Sequence, residues 1–310
     1  MCSDLALPWP SRYLATVGVF DGVHLGHRAI LDRLVAAGRE SGLPTILFTF
    51  HPRPVTVFAP ETPPDELTPP PRKWRLLAES GLDRVEVLRF SRAFARVEPE
   101  QFLEQVLGAG RGLAGIWVGH DFRFGHRRRG DFAMLVEAGG RFGFRTERIE
   151  AIEIAGKPVS SSRIRACLRA GDLDGARELL GRPPDVEGIV VHGRGQGAKV
   201  LVATANLAIP ETQCLPPLGV YAGEAEWDGI LRPAVLNLGR RPTLTPGDRL
   251  VPEVHVLDWS GDLRGRRLLF RYRSRLREER RFASLEALRA QIFEDIERAR
   301  AEARSWPSGT

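Results

Sequence analysis

Over the first half of the chain, short apolar runs bounded by turn residues alternate with segments whose apolar residues recur every three or four positions. YLATVGVF, TILFTF, RVEVLRF and AGIWVG are rich in β-branched and aromatic residues and read as strands. RAILDRLVAAGRE, PRKWRLLAESG and EQFLEQVLG, which separate them, have the spacing of helices with one apolar face. Alternation of this kind, from Tyr13 to about Glu150, predicts an α/β architecture in which helices cover a parallel sheet. VSSSRIRACLRAGDLDGARELLG then predicts two short helices, the first with serines at its N-cap and arginines in its opening turn.

The pattern changes after GRPPDVEG. GIVVHG, KVLVATANLAI, GVYAGEAEW, PAVLNLG, PEVHVLDW and RRLLFRYRSRLR are short strands divided by Gly, Pro and Asp turns. Only SLEALRAQIFEDIERARAEAR is helical, with Leu285, Leu288, Ile292 and Ile296 on one face. A small antiparallel barrel closed by a C-terminal helix fits this half. The 310 residues therefore divide into two predicted domains, 1–183 and 184–310. The Pro-rich stretch APETPPDELTPPPR reads as a surface loop.

Composition narrows the picture. A hydrophobic content of 43% with 27% charged residues is that of a soluble globular protein. No apolar run approaches the ~18 residues of a membrane span, and the N-terminus lacks a basic segment followed by an apolar one, so a cytoplasmic protein with no membrane partner is expected. Cys2, Cys167 and Cys214 are widely separated and odd in number, which supports neither a disulfide framework nor a zinc site. The net charge of +6 does not imply a nucleic-acid partner, because Lys73, Lys157 and Lys199 are the only lysines. The remaining basic residues are arginines scattered along the chain, and the cluster Arg127–Arg129 has no aromatic interleaving. The pattern specifies no oligomeric state.

The stretch TVGVFDGVHLGHRAIL carries candidate chemistry. A strand that ends in a tight glycine turn before a helix points backbone N–H groups and the positive end of the helix at one spot. Gly18, Gly22 and Gly26 permit close backbone approach there, and His24 and His27 are placed to donate to phosphoryl oxygens. The plainer alternative is that the two histidines only cap the helix and satisfy the turn.

The run G-x-F-D-G-x-H-x-G-H from Gly18 to His27 resembles the nucleotidyltransferase superfamily, and in its longer form the flavin-adenylating branch. FTFHP from Phe48, the stretch beginning LTPPPRKWRLL, VGHDFRFGHRRRG from Val118, and VSSSRIRACLRAGDLDGARELLGRP follow in order. They are similar to successive signatures of bacterial bifunctional riboflavin kinase/FAD synthetases. The resemblance implies a Rossmann-like adenylyltransferase domain and a riboflavin-kinase-like barrel, with ATP, FMN and riboflavin as substrates and Mg²⁺ as cofactor. It assigns Asp21, His24 and His27 to catalysis, and Gly18, Phe20, Gly22, Gly26, Asp121 and Arg128 to ATP. Ser160, Ser161 and Ser162 with Arg163 and Arg165 stand where the family has S-S-T-x-I-R. A serine-capped helix start beside two guanidinium forks suits phosphates. Phe48, Phe50, Phe122 and Phe124 are implied isoalloxazine contacts that read equally well as core.

In the second half HGRGQGAKVLVATANL and PEVHVLDWSGDLRG resemble the kinase module. The resemblance gives Gly193, Gly195 and Gly197 to phosphate, Thr204 and Asn206 to Mg²⁺, Glu253 to the general base, and Asn237 and Arg241 of NLGRRPTL to flavin. The string Gly193 to Ala198 also matches a dinucleotide fingerprint, but no helix pattern follows it. Departures cluster near the phosphate loop. Leu201, Val202 and Ala203 replace a glycine, an aromatic and a proline, Ala198 replaces a basic residue, and Arg264 replaces a tyrosine. Loss of the proline unfixes φ beside the metal ligand. A working kinase and a weakened or lost one are both expectations. The alternatives are a monofunctional adenylyltransferase, a related nucleotidyltransferase with another acceptor or CTP, and a flavin-binding regulator. Intact His24, His27 and Arg165 argue against the last.

Overall fold

Every residue of β1 (Tyr13–Val17) is buried, as a strand covered on both faces must be. The computed structural model describes residues 9–59, 61, 65–192, 203–241 and 249–306. The chain divides into two units, residues 1–64 with 70–161, and residues 65–69 with 162–310.

In the first unit β1 leads to α1 (Leu25–Ser41), β2 (Thr45–His51), α2 (Pro54–Phe58), α3 (Pro70–Ala78) and β3 (Arg84–Arg89). A one-turn α4 (Pro99–Gln101) then runs into a π-helical turn at Phe102–Val106. After it come β4 (Leu113–Gly119), α5 (Phe132–Phe142), β5 (Arg145–Ile149) and a small hairpin of β6 (Glu153–Ile154) and β7 (Lys157–Pro158). The five-stranded sheet has the order β3-β2-β1-β4-β5 and every pair is parallel. Leu14 and Trp117 pack with Leu34 and Ala37 of α1 on one face, while Ala15, Val17, Phe48 and Val118 join the larger core on the other. The strand order reverses between β1 and β4, so the crevice beyond their C-terminal ends is the switch point of the sheet.

Helix α6 (Ser161–Ala170) opens on the last residue of the first unit and continues into the second. There α7 (Leu173–Leu180) precedes β8 (Asp185–Val191), β9 (Ala205–Ala208), β10 (Gly219–Trp227), β11 (Ile230–Arg241), β12 (Arg249–Val256), β13 (Arg267–Glu278) and α8 (Leu285–Ala303). The strands close an antiparallel barrel in the order β10-β11-β12-β9-β8-β13. Part of the Pro-rich stretch is more than a surface loop. Glu66 N donates to Thr212 O at 2.7 Å, Cys214 N to Glu66 O at 2.8 Å, and Arg165 Nε to Asp65 O at 2.6 Å. Burial, with Asp65 beside it, pushes the Cys214 thiol up to about 12, which makes it inert. No described helix is long and apolar enough to cross a membrane.

The face that α8 buries differs from the expected one. Ile296 packs against Val220, Val235 and Leu276, but Leu285 is 60% exposed. Gln291 and Asp295 are buried instead. The cause is an arginine of β13: Arg277 Nε pairs with Asp295 Oδ2 at 2.9 Å, and Gln291 Nε2 donates to the same carboxylate at 2.9 Å. Asp295→Ala would leave the Arg277 guanidinium in a desolvated place without its carboxylate. Removal of one partner from such a pair is expected to destabilise the second unit by roughly 3–5 kcal/mol, read as a lower urea midpoint. A midpoint equal to that of the wild type would refute the clamp.

Candidate active sites

The connection from β1 to α1 is a turn in a backbone region that side chains avoid. Phe20 has φ 52°, Gly22 φ 91° and Val23 φ 40°, and positive φ at a β-branched residue such as valine is costly. The turn is held from several sides. Gly18 N donates to Phe48 O at 3.0 Å. Thr49 Oγ1 and Lys73 Nζ each donate to Val19 O at 3.3 Å. Ser161 Oγ donates to Asp21 O at 2.9 Å, and Arg53 Nη1 lies 3.4 Å from Asp21 Oδ2. Asp21 is itself buried, with its carboxylate facing Arg53. At Gly18 a Cβ would meet the Phe20 ring at 2.8 Å, which leaves no room for a side chain.

His24 is the N-cap of α1. Its Nδ1 accepts from His27 N at 3.3 Å, so the neutral ring carries its proton on Nε2. The capping reading of the sequence is thus partly right, and the bond that caps the helix also fixes the tautomer. The two imidazoles stack with centroids 3.6 Å apart at 16°, and Phe20 lies 4.8 Å from the His27 ring. Gly26 matters for the same reason, since a Cβ there would come within 3.3 Å of the His24 ring. The result is a pair of histidines at the N-terminus of a long helix, beyond the C-terminal end of the central strand.

Asp121 follows the end of β4 and is exposed. Arg128 is exposed on the next turn, where it and Arg127 adopt φ of 57° and 52°. The four phenylalanines separate: Phe48 and Phe124 are buried in the core, whereas Phe50 and Phe122 keep exposed surface. Sequence reasoning missed Phe58, Phe90 and Phe94. Phe50 meets Phe90 and Phe94 edge-on at 5.7 and 5.9 Å, and Phe58, 62% exposed, meets Phe90 at 5.9 Å. The aromatics in HPRPVTVF and RFSRAF were the available signal. Ser161 starts α6, and Ser160 precedes it. Ser162, Arg163 and Arg165 continue along that helix, where Arg165 binds the Asp65 carbonyl.

In the second unit, Asn206 of β9 and Asn237 of β11 both pair with Glu253 of β12, which lines the three side chains up across three strands. Thr204, Asn237, Glu253 and His255 line a cavity of about 320 Å³ together with the charged Arg277, Glu279, Arg280 and Asp295, and its apolar lining includes Val220, Phe282, Leu288 and Ile292. A flat apolar ligand with a polar tail suits such a lining. Gly193, Gly195, Gly197, Ala198, Leu201 and Val202 lie outside the described residues, as does the Arg241 side chain. Arg264 donates from Nε to both Asp262 oxygens at 2.8 Å, which holds the Asp262 carboxyl down at about 2.

A histidine pair at the switch point of a parallel sheet, with a separate barrel that lines up Asn, Glu and Asn across three strands beside a cavity that Asn237 and Glu253 line, defines a nucleotidyltransferase joined to a flavin-kinase type of barrel. The model of the FAD synthetase family matches residues 8–163, and that of the riboflavin kinase family matches residues 180–303. The bifunctional riboflavin kinase/FMN adenylyltransferase of Pseudomonas fluorescens is 41% identical, over 93% of this chain and 92% of its own. The one from Escherichia coli (strain K12) is 41% identical over 90% and 89%, and that from Bacillus subtilis (strain 168) is 32% identical over 93% and 92%. The chain belongs to the bifunctional riboflavin kinase/FMN adenylyltransferase family. A crystal structure named as a macrolide-efflux protein from Streptococcus pneumoniae is also similar, with a TM-score of 0.85, 27% identity and 96% of each chain covered.

Thr49→Val keeps the volume of the side chain and removes its donor to Val19 O. The turn that carries His24 is expected to shift, and a displacement of 1 Å costs about a hundredfold in rate. Nucleotidyl transfer should fall accordingly while the second unit's reaction is unchanged. Equal loss of both, or of neither, would show that Thr49 does not hold the turn.

Proposed function

We propose that the second unit phosphorylates riboflavin to FMN and that the first unit adenylylates FMN to FAD, the histidine pair at the start of α1 being the observation that carries the reading. In the second step an FMN phosphate oxygen attacks the α-phosphorus of ATP. A P–O bond forms to that phosphorus, the bond to the β-phosphate bridging oxygen breaks, and pyrophosphate leaves. His24, with its proton on Nε2, and His27 stabilise the charge that develops on the α-phosphoryl oxygens, assisted by the N-terminus of α1. Gly18, Phe20, Gly22 and Gly26 shape the cradle. Asp121, Arg128 and the Ser160–Arg165 segment bind the nucleotide and its phosphates. The exposed Phe58 with Phe50, Phe90 and Phe94 offers the edge-to-face surface on which an isoalloxazine ring packs.

In the first step the riboflavin 5′-hydroxyl attacks the γ-phosphorus of ATP. Glu253 accepts its proton, and ADP leaves. Riboflavin occupies the cavity beneath α8, with Asn237 at its polar side. The Thr204 hydroxyl and the Asn206 amide oxygen are hard donors that suit Mg²⁺, which binds oxygen and keeps positions for water and phosphate. Bound there, it would neutralise phosphate charge. Gly193, Gly195, Gly197 and Arg241 keep their phosphate and flavin assignments within the proposal. The division into domains 1–183 and 184–310 belongs to it too, supported by where the two family models match. A cytoplasmic location goes with the free thiols of Cys167 and Cys214.

The test is chromatography of products from riboflavin with MgATP and from FMN with MgATP. His27→Ala is expected to lower FAD formation by ~10²–10³ and to accumulate FMN from riboflavin. Glu253→Gln is expected to lower riboflavin phosphorylation by roughly 10²–10⁴ while FMN is still converted to FAD. A wild type that makes no FAD from FMN sinks the adenylyltransferase reading. One that makes no FMN from riboflavin sinks the kinase reading.

A further inference from the structure

His255 lies two residues beyond Glu253 on β12, hence on the same face of the strand, and it lines the same cavity. Its Nδ1 is 2.8 Å from Ala203 O. A carbonyl oxygen only accepts, so the imidazole carries a proton on Nδ1 and donates it. Ala203 immediately precedes Thr204, and the two share a planar peptide. The backbone ladder between β12 and β9 consists of Glu253 opposite Asn206 and Val254 opposite Ala205. The imidazole therefore adds a tie between the two segments where the ladder ends, at the residue next to Thr204.

We infer that His255 is a positioning residue for phosphoryl transfer: its Nδ1–H fixes the Ala203–Thr204 peptide and so holds the Thr204 hydroxyl in register with Asn206 and Glu253. The inference rests on the kinase reading. It also answers the alanine at 203, where the resembled pattern has proline. A proline ring would fix φ at that residue, and alanine does not. The carbonyl of residue 203 is instead held from across the strands. Because Nδ1 is committed to a backbone carbonyl, His255 differs in role from Glu253, which takes the proton of the substrate hydroxyl.

The experiment uses the full chain and three variants. Asparagine places its amide N–H near the position of Nδ1–H, whereas glutamine reaches toward Nε2. His255→Asn is expected to phosphorylate riboflavin close to the wild-type rate. His255→Gln and His255→Ala are expected to lose kcat by roughly 10–100-fold with little change in KM for riboflavin. FMN adenylylation by the same preparations should be unchanged, which reports an intact first unit, and a urea midpoint of the second unit equal to that of the wild type reports a folded barrel. A second readout does not depend on turnover: in ¹⁵N-histidine-labelled wild type without nucleotide or metal, the His255 resonances should be those of the Nδ1–H tautomer. An Nε2–H tautomer, a fully active His255→Ala, or rescue by glutamine equal to that by asparagine overturns the inference while the kinase reading stands. A wild type inactive on riboflavin overturns both. Should the variants lose both activities by failing to fold, the wild-type tautomer decides.

Discussion

The first unit depends on keeping a run of left-handed residues between a buried strand and a helix. Phe20, Gly22 and Val23 hold φ values that cost energy, and a turn left to itself would relax. It does not relax because its carbonyls are occupied. Val19 O accepts from a threonine and a lysine, and Asp21 O accepts from the serine that opens α6. The strain sets where the helix begins and which residue caps it. With His24 at the cap, its Nδ1 is committed to a backbone N–H, its tautomer is set, and its ring is pressed on that of His27. The same hydrogen bond caps the helix and sets the tautomer that the proposed role of His24 uses, so a capping role and a catalytic role for His24 are not rival readings.

The second unit solves the equivalent problem by register rather than by strain. Asn206, Glu253 and Asn237 come from three segments far apart in sequence and meet because β9, β12 and β11 are neighbours in a closed barrel. A shift of one residue in either pairing would turn a member of the row to the other face. Closure of the barrel resists such a slip, since every strand is paired on both sides. The clamp of Arg277 on Asp295 then ties α8 to the barrel next to the cavity that Glu253 lines.

What was legible in the sequence follows the range of the interactions. Strands and helices were legible because burial repeats every two or every three to four residues, and the glycine turn was legible because glycine marks unusual backbone. The four phenylalanines were not separable, since a core ring and an exposed ring have the same period: Phe48 went to the core and Phe50 kept a surface. Phe58 escaped notice because α2 is a five-residue helix with no buried face. The attachment of residues 65–69 to the second unit rests on Glu66 meeting Thr212 and Cys214, a pairing across some 150 positions that no local pattern encodes. In α8 the apolar stripe was read from spacing alone, whereas Asp295 is buried by a partner on a distant strand and Gln291 is held by Asp295 and by Arg280 just beyond that strand.

The arginine bias of the chain, read from composition as a property of its surface, has an instructive exception. Arginines form most of the ion pairs, and many of those are exposed. Lys73 is one of three lysines and is only 3% exposed, with its ammonium 3.3 Å from Val19 O and 4.6 Å from the Trp74 ring centroid. Lys157 is exposed and Lys199 lies outside the described residues. A guanidinium is a planar fork that needs room and several acceptors in its plane, whereas an ammonium is a compact donor on a flexible stem. Beneath a turn whose Val19 carbonyl already takes the Thr49 hydroxyl, the space suits the compact donor. The space beneath the strained Val19 carbonyl, unlike a water-facing surface, favours a compact proton donor over a planar fork.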